Sequence, residues 1–242
     1  MREYWDRIKE LTDQVFLKET EILKLASGKV AEAIERQRVI YVFGSGHSAI
    51  LCEELFYRAG GMAAVSPIFV PDLLLANGAV RSSRVERLNG YAQTFMESQP
   101  IEPGDLIFVI STSGRNGVPL DVAAIAKERG AYVIGLTSES FSKSQPSRHS
   151  SGLRLMDIAN LSIDNLCPIG DGCLTMENGV SFEPASTIIG GVILHTIFAG
   201  AVRILEEKGV ECPIFASGNV EGGAAFNLRL LEQYKNRIPL YR

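Results

Sequence analysis

Thiol and metal chemistry have little to work with in this chain. Its four cysteines, Cys52, Cys167, Cys173 and Cys212, include no C-x-x-C pair. With no secretory leader ahead of the charged start MREYWDRIKELTDQVF, that spacing predicts reduced thiols in a cytoplasmic protein. There are three histidines and no H-E-x-x-H, so a zinc site lacks its ligands and no metal is expected. A carboxylate-only metal site is the one kind left open. No G-x-x-x-x-G-K-[ST] occurs, which removes the lysine that reaches the outer phosphates of a nucleoside triphosphate. No G-x-S-x-G occurs either, which removes a nucleophile elbow. Basic charge is in deficit, with 24 Lys and Arg against 28 Asp and Glu and a formal net charge of −4. That balance argues against nucleic acid as a partner.

One long stretch, Ala185 to Val202, carries no formally charged side chain. Its length just reaches that of a spanning helix. Ser186, Thr187, His195 and Thr196 interrupt it, and Gly190, Gly191, Ala199 and Gly200 keep it slim. These features predict a helix packed closely at a core or subunit interface, with no membrane role.

Strand and helix signals alternate along the chain. Residues Tyr4 to Gln37 have helical spacing, and Gly28 suggests a break into a helical pair. Strands are expected at Val39–Phe43, Ala63–Val70, Leu106–Ile110, Tyr132–Leu136 and Ile158–Ile163. Helices are expected at His47–Arg58, Val85–Ser98, Val118–Arg129, Pro184–Lys208 and Glu221–Tyr234. Asn165–Gly179 reads as turns. Alternation of this kind predicts an α/β fold with a parallel sheet covered on both faces. Its ligands bind beyond the carboxyl ends of the strands. No internal repeat or long linker divides the chain, so residues 1–242 are expected to form one domain. The serine-rich segment Ser138–Gly152 reads equally as a solvated connector or as a lid carrying Lys143, Arg148 and His149.

The strand ending at Phe43 runs into Gly44-Ser45-Gly46-His47-Ser48. Gly44, Gly46 and Ala49 fit G-x-G-x-x-G/A, the turn that brings a pyrophosphate to a helix N-terminus. A dinucleotide site also needs an acid about 20 residues on for the ribose hydroxyls. Leu55 to Pro71 contains no Asp or Glu, so that reading loses its second half. A second strand, Leu106–Ile110, runs into Ser111-Thr112-Ser113-Gly114-Arg115-Asn116-Gly117. Hydroxyls and main-chain amides donate to a phosphate monoester without a metal, and the helix N-termini add partial positive charge. Arg115 offers a full charge or points to solvent. Ordinary turns with helix caps are the alternative for each loop alone.

At Val42-Phe43-Gly44-Ser45-Gly46-His47-Ser48 and Ile110-Ser111-Thr112-Ser113-Gly114-Arg115-Asn116 the chain resembles the SIS (sugar isomerase) domain family. The resemblance covers about residues 35–208, between N-terminal helices (1–37) and a C-terminal helix (221–234). SRHSSG (147–152), DNLCPIGDG (164–172) and ASGNVEGG (216–223) are similar to a subgroup of about this length. The family implies a flavodoxin-like three-layer sandwich on a central five-stranded parallel sheet, a sugar phosphate ligand, no cofactor, and a homo-oligomer (dimer or tetramer). Its phosphate ligands would fall on Ser48, Ser111, Ser113 and Asn116, the last standing where Ser or Thr is common. Thr112 and the glycines Gly44, Gly46 and Gly114 would contribute amides, with Ser45 in the first loop.

Many relatives interconvert aldose and ketose phosphates, and some cleave an ether or only sense the sugar. Isomerisation needs a base and an acid, roles suited to a carboxylate and a histidine. The family often places a glutamate on the helix after the first loop, which implies Glu54 here. It often has a histidine on the apolar helix, sometimes donated by a neighbouring subunit, which implies His195. A solvated face for Glu54 and a satisfied core position for His195 are the plainer readings. His149 is a candidate for closing on the ligand, or simply exposed. His47 reads as a turn cap, and Asp164 and Asp171 as turn formers or sugar-hydroxyl ligands. The sequence thus points to a cofactor-independent sugar-phosphate isomerase or related lyase, with a phosphosugar sensor as the alternative.

Overall fold

The computed structural model describes residues 2–242. Helix α1 (Arg2–Glu35) opens the chain without a break, which corrects the expected helical pair. A glycine inside a helix costs about 1 kcal/mol. Burial of Leu11, Val15, Leu23, Ala26, Val30 and Ile34 along one stripe outweighs Gly28. Strand β1 (Ile40–Gly44), helix α2 (Ser48–Leu55) and strand β2 (Val65–Pro67) follow. The expected strand Ala63–Val70 shortens to these three residues because Pro67 has no amide to donate and β2 lies at the sheet edge.

Helices α3 (Ala79–Val85) and α4 (Gln93–Met96) replace the expected helix Val85–Ser98. The Asn89-Gly90 pair lies between them, and Gly90 at φ +80° turns the chain. Strand β3 (Leu106–Ile110), helix α5 (Gly117–Glu128) and strand β4 (Tyr132–Thr137) match expectation to within a residue. Next come α6 (Glu139–Ser144), α7 (Leu155–Ile158) and β5 (Leu161–Asp164). A hairpin of β6 (Gly172–Thr175) and β7 (Ser181–Pro184) stands within and beyond the stretch expected to hold only turns. Helices α8 (Ser186–Glu207) and α9 (Gly223–Tyr234) complete the chain.

The five-stranded sheet has the order β2-β1-β3-β4-β5, and all its pairs are parallel. This is the flavodoxin-like order, whose switch point lies between β1 and β3. Helices α1, α2 and α8 cover one face, and α5 and α7 cover the other. β1 and β3 are buried along their whole length, as expected of strands covered on both sides. Helix α8 is the one described helix long and apolar enough to cross a membrane. Here it packs along α1, burying Ile189, Ile193, Leu194, Ile197, Ala201 and Leu205.

At the amino ends of the central strands, Asp105 is fully buried. Its Oδ1 accepts the Val39 amide at 3.1 Å, and its Oδ2 accepts the Glu102 amide and Arg237 Nη2, both at 2.7 Å. One carboxylate thereby ties β1, β3 and the C-terminal segment together.

Candidate functional site

Gly44 pairs with Ile110 at the last step of the β1–β3 register. Adjacent strands lie about 4.8 Å apart. The two loops predicted to hold an anion therefore leave the sheet side by side, at the switch point. Each loop depends on a glycine at its bend. A Cβ on Gly44 would stand 2.5 Å from the Ser48 carbonyl oxygen. Gly114 has φ +56°, and a Cβ there would stand 2.5 Å from Thr137 Oγ1.

The predicted ligands divide into two sets. Ser45, Ser111 and Asn116 are buried, and their side chains are engaged within the protein. Ser45 Oγ donates to Glu86 Oε2 at 2.8 Å, and Asn116 Nδ2 donates to Glu86 Oε1 at 2.8 Å. Ser111 Oγ accepts the Gly114 amide at 3.2 Å and so shapes the second bend. By contrast, the hydroxyls of Ser48, Thr112 and Ser113 are partly exposed and bond no other described residue. They stand at the mouths of α2 and α5, where the helix termini leave amides to donate.

Glu86 is the residue of the candidate site that sequence reasoning missed. It clamps the first loop to the second, and its main-chain oxygen accepts the Val118 amide at 3.0 Å. Burial raises its carboxyl above the ordinary value of 4.5, against the Ser45 hydrogen bond and the attraction of Arg87 and Arg148. No local motif marks it, since its partners lie 41 and 30 residues away.

The segment 145–154 is docked onto the second loop and α5. Arg148 donates its amide to the Arg115 carbonyl at 2.9 Å and its Nη1 to Asn116 Oδ1 at 3.0 Å. Asn89 holds both sides of the next peptides, donating to the Arg148 carbonyl at 3.1 Å and accepting the Ser150 amide at 2.7 Å. His149 is held against α5. Its Nε2 meets Asp121 Oδ1 at 2.9 Å and its Nδ1 meets Ser151 Oγ at 2.7 Å, so both ring nitrogens are engaged.

Glu54 and His195 are brought together, with His195 Nε2 3.1 Å from Glu54 Oε1. The carboxylate is the acceptor, so Nε2 carries the proton and Nδ1 is the free lone pair. Arg58 also pairs with Glu54. Partial burial and the Arg58 charge press the His195 pKa below its ordinary 6.5. The pair stands apart from the loops. Six residues of helix advance about 9 Å and turn about 240°, so Glu54 and Ser48 occupy different faces of α2. His195 lines a cavity of about 280 Å³ with Arg58, Met62, Val65 and Phe198.

The remaining candidates serve the backbone. His47 is exposed at the start of α2 and makes no capping bond with its side chain. Asp164 Oδ1 accepts the Glu139 and Leu166 amides. Asp171 caps α8 through the Ser186 amide at 2.9 Å and its hydroxyl at 2.6 Å. Among the described residues no group of three or more His, Cys, Asp or Glu is arranged to hold a metal ion.

Comparison with known proteins agrees with this architecture. The family model described as the SIS domain matches residues 3–138. A UPF0309 protein of Geobacillus kaustophilus is 51% identical over 99% of this chain and 96% of its own. One from Halalkalibacterium halodurans is 49% identical over 98% of this chain and 95% of its own. Among solved structures, phosphoheptose isomerase GmhA from Neisseria gonorrhoeae superposes with a TM-score of 0.53 at 17% identity, over 84% of this chain and 96% of that one. That likeness is one of fold: a parallel sheet with helices on both sides. On the family match and these near full-length relatives, the chain belongs to the SIS domain family.

Proposed function

We propose that this protein binds the phosphate group of a sugar phosphate between its two carboxyl-edge loops. The observation that supports the reading is the pairing of Gly44 with Ile110, which puts the loops that carry the partly exposed, unpartnered hydroxyls of Ser48, Thr112 and Ser113 at the ends of adjacent strands. Each hydroxyl donates to an acceptor-rich dianion, and charge strengthens each bond over a neutral one. Ser45, Ser111 and Asn116 hold the loops in shape rather than touching the ligand. Gly44, Gly46 and Gly114 allow the bends, and His149 acts by anchoring its segment to α5. Residues 1–242 work as a single SIS domain, and the four free cysteines support a reducing, cytoplasmic setting.

The same reading extends to chemistry. A carboxylate beside a neutral histidine suits aldose–ketose isomerisation without a cofactor. Glu54 takes the proton from the carbon next to the carbonyl, leaving an enediol, and returns it to the neighbouring carbon. His195, neutral near pH 7, moves protons on the two oxygens. Since Glu54 faces away from Ser48, the pair serves a sugar that reaches around α2 or one held by a second copy in a homo-oligomer. A specific observation favours a second reading, a sensor without turnover: Arg58 occupies the Glu54 carboxylate.

Incubation with a panel of aldose and ketose phosphates in deuterated water, alongside calorimetry, tests both. Binding with deuterium uptake next to the carbonyl supports the isomerase. Binding without uptake supports the sensor. Absence of binding across the panel sinks the phosphate site itself.

A further inference from the structure

Four arginines gather at the second loop beyond what one phosphate requires. Arg115 lies in the loop. Arg148 is joined to it through the main chain at 2.9 Å and holds Asn116, the residue that precedes α5. Arg154 stands beside Leu155, whose amide bonds the Gly114 carbonyl at 2.9 Å. Arg87 follows Glu86, which grips both loops. None of the four forms an ion pair with any described residue. Arg148 spends one hydrogen bond on an amide oxygen, and Arg154 bonds the carbonyls of Ser142 and Gln145. Arg115 Nε is buried with no hydrogen-bond partner.

An orphaned buried donor costs on the order of 1–3 kcal/mol. Like charges add to that cost. Burial first, and then the field of Arg148, Arg87 and Arg154, weakens the hold of Arg115 on its proton. The neighbouring acids answer this charge only at a distance: Glu86 is attracted by Arg87 and Arg148, and no carboxylate pairs directly with any of the four. Glu86 has both oxygens bonded to Ser45 and Asn116. Asp157 accepts the Arg154 amide at 2.7 Å, and Asp121 is taken up by His149 and the Gly90 amide. In a chain of net charge −4, such a cluster is a local exception. Guanidinium groups match carboxylate and phosphate oxygens two at a time, which supplies the missing partners.

We propose that Arg115 and Arg148, supported by Arg87 and Arg154, bind a second oxyanion on the same ligand, so that the preferred sugar phosphate carries a further carboxylate or phosphate. This rests on the phosphate-loop reading above. The first phosphate takes the hydroxyls of Ser48, Thr112 and Ser113; the second acidic group lies toward α5.

The test is calorimetric titration of the full chain with three probes: fructose 6-phosphate, fructose 1,6-bisphosphate and 6-phosphogluconate. The bisphosphate or the phosphogluconate is expected to bind roughly tenfold or more tighter than the monophosphate. Which of the two does so separates a phosphate from a carboxylate as the second group. Arg115→Gln should abolish the advantage while leaving the monophosphate within about twofold. Arg87→Gln, at an exposed residue, should reduce it without risk to folding. Ser113→Ala should weaken all three probes alike. Equal affinity of the wild type for the three probes overturns the second site but keeps the first. Equal weakening of monophosphate and doubly acidic probes by Arg115→Gln does the same, because the arginine would then serve the first phosphate. No binding of any probe removes both.

Discussion

Ser45 gives its hydroxyl to Glu86 Oε2 across 2.8 Å and 41 residues of sequence. The other oxygen of the same carboxylate takes Asn116, so the two loops share one buried clamp. Removing the clamp leaves buried polar groups without a partner. Glu86→Ala should therefore destabilise the fold by about 1–3 kcal/mol. It should also weaken ligand binding, because both loops lose their shared anchor. Urea denaturation together with titration of a sugar phosphate checks both effects.

Glu86 also predicts a pH dependence. Its carboxyl is raised above 4.5, chiefly by burial, so the folded protein holds its proton more tightly than the unfolded chain does. Where the folded state binds more protons, stability falls as pH rises. Its contribution is greatest below 4.5 and is lost as pH climbs through the raised value. Glu86→Gln keeps an acceptor for Asn116 and a donor for Ser45, and has no charge to desolvate. The difference in unfolding free energy between this variant and the wild type should grow in favour of the variant from pH 4 to pH 7.

The free hydroxyls should carry the anion. Ser48→Ala and Ser113→Ala are each expected to reduce sugar-phosphate affinity by about 1–3 kcal/mol with little change in melting temperature. Calorimetry beside thermal denaturation separates the two effects. Full affinity in the double variant would leave the crevice without a role.

Glu54→Gln and His195→Gln address the chemistry. If the pair moves protons, each should lower deuterium uptake by roughly 10²–10⁴-fold while sugar-phosphate affinity holds. The depressed His195 pKa keeps the ring neutral somewhat below 6.5. Uptake that depends on a neutral ring should persist below that pH and decline as the histidine gains its proton. An uptake rate unchanged by both substitutions would assign the pair to surface structure.

Asp105 is the buried anchor at the other end of the sheet. Asp105→Ala strands the Val39 and Glu102 amides and takes one carboxylate from Arg237, which keeps Glu102. Each buried amide left without its acceptor costs about 1–3 kcal/mol. A large drop in melting temperature is expected, and loss of binding should appear only as the protein unfolds.

The sequence showed some of these features clearly and others not at all. Periodic apolar runs and turn residues located β1, β3, β4 and both loops, because those signals are local. Gly28 misled for the converse reason: its local cost was real, but the burial that α1 gains on α8 is not visible nearby. β2 was overextended because nothing along the chain says that a strand lies at an edge. Glu54 and His195 meet from 141 residues apart, which no spacing in the sequence shows, and the rotation of α2 that separates them from Ser48 appears only when helical turns are counted. Glu86 and the docking of residues 145–154 were illegible, since the contacts that tie them to the loops and α5 cross tens of residues and follow no spacing rule. His149 shows the same limit: a histidine in a polar loop looks available until Asp121 is seen to hold it.

Helices α2 and α5 descend from neighbouring strands onto opposite sides of the sheet, and both start at its carboxyl edge. An anion seated there would be gripped from both outer layers at once and act as a removable rivet through the sandwich. Occupancy would then be felt as mechanical cohesion of the whole body, and the layers of the empty protein would breathe more freely than those of the loaded one.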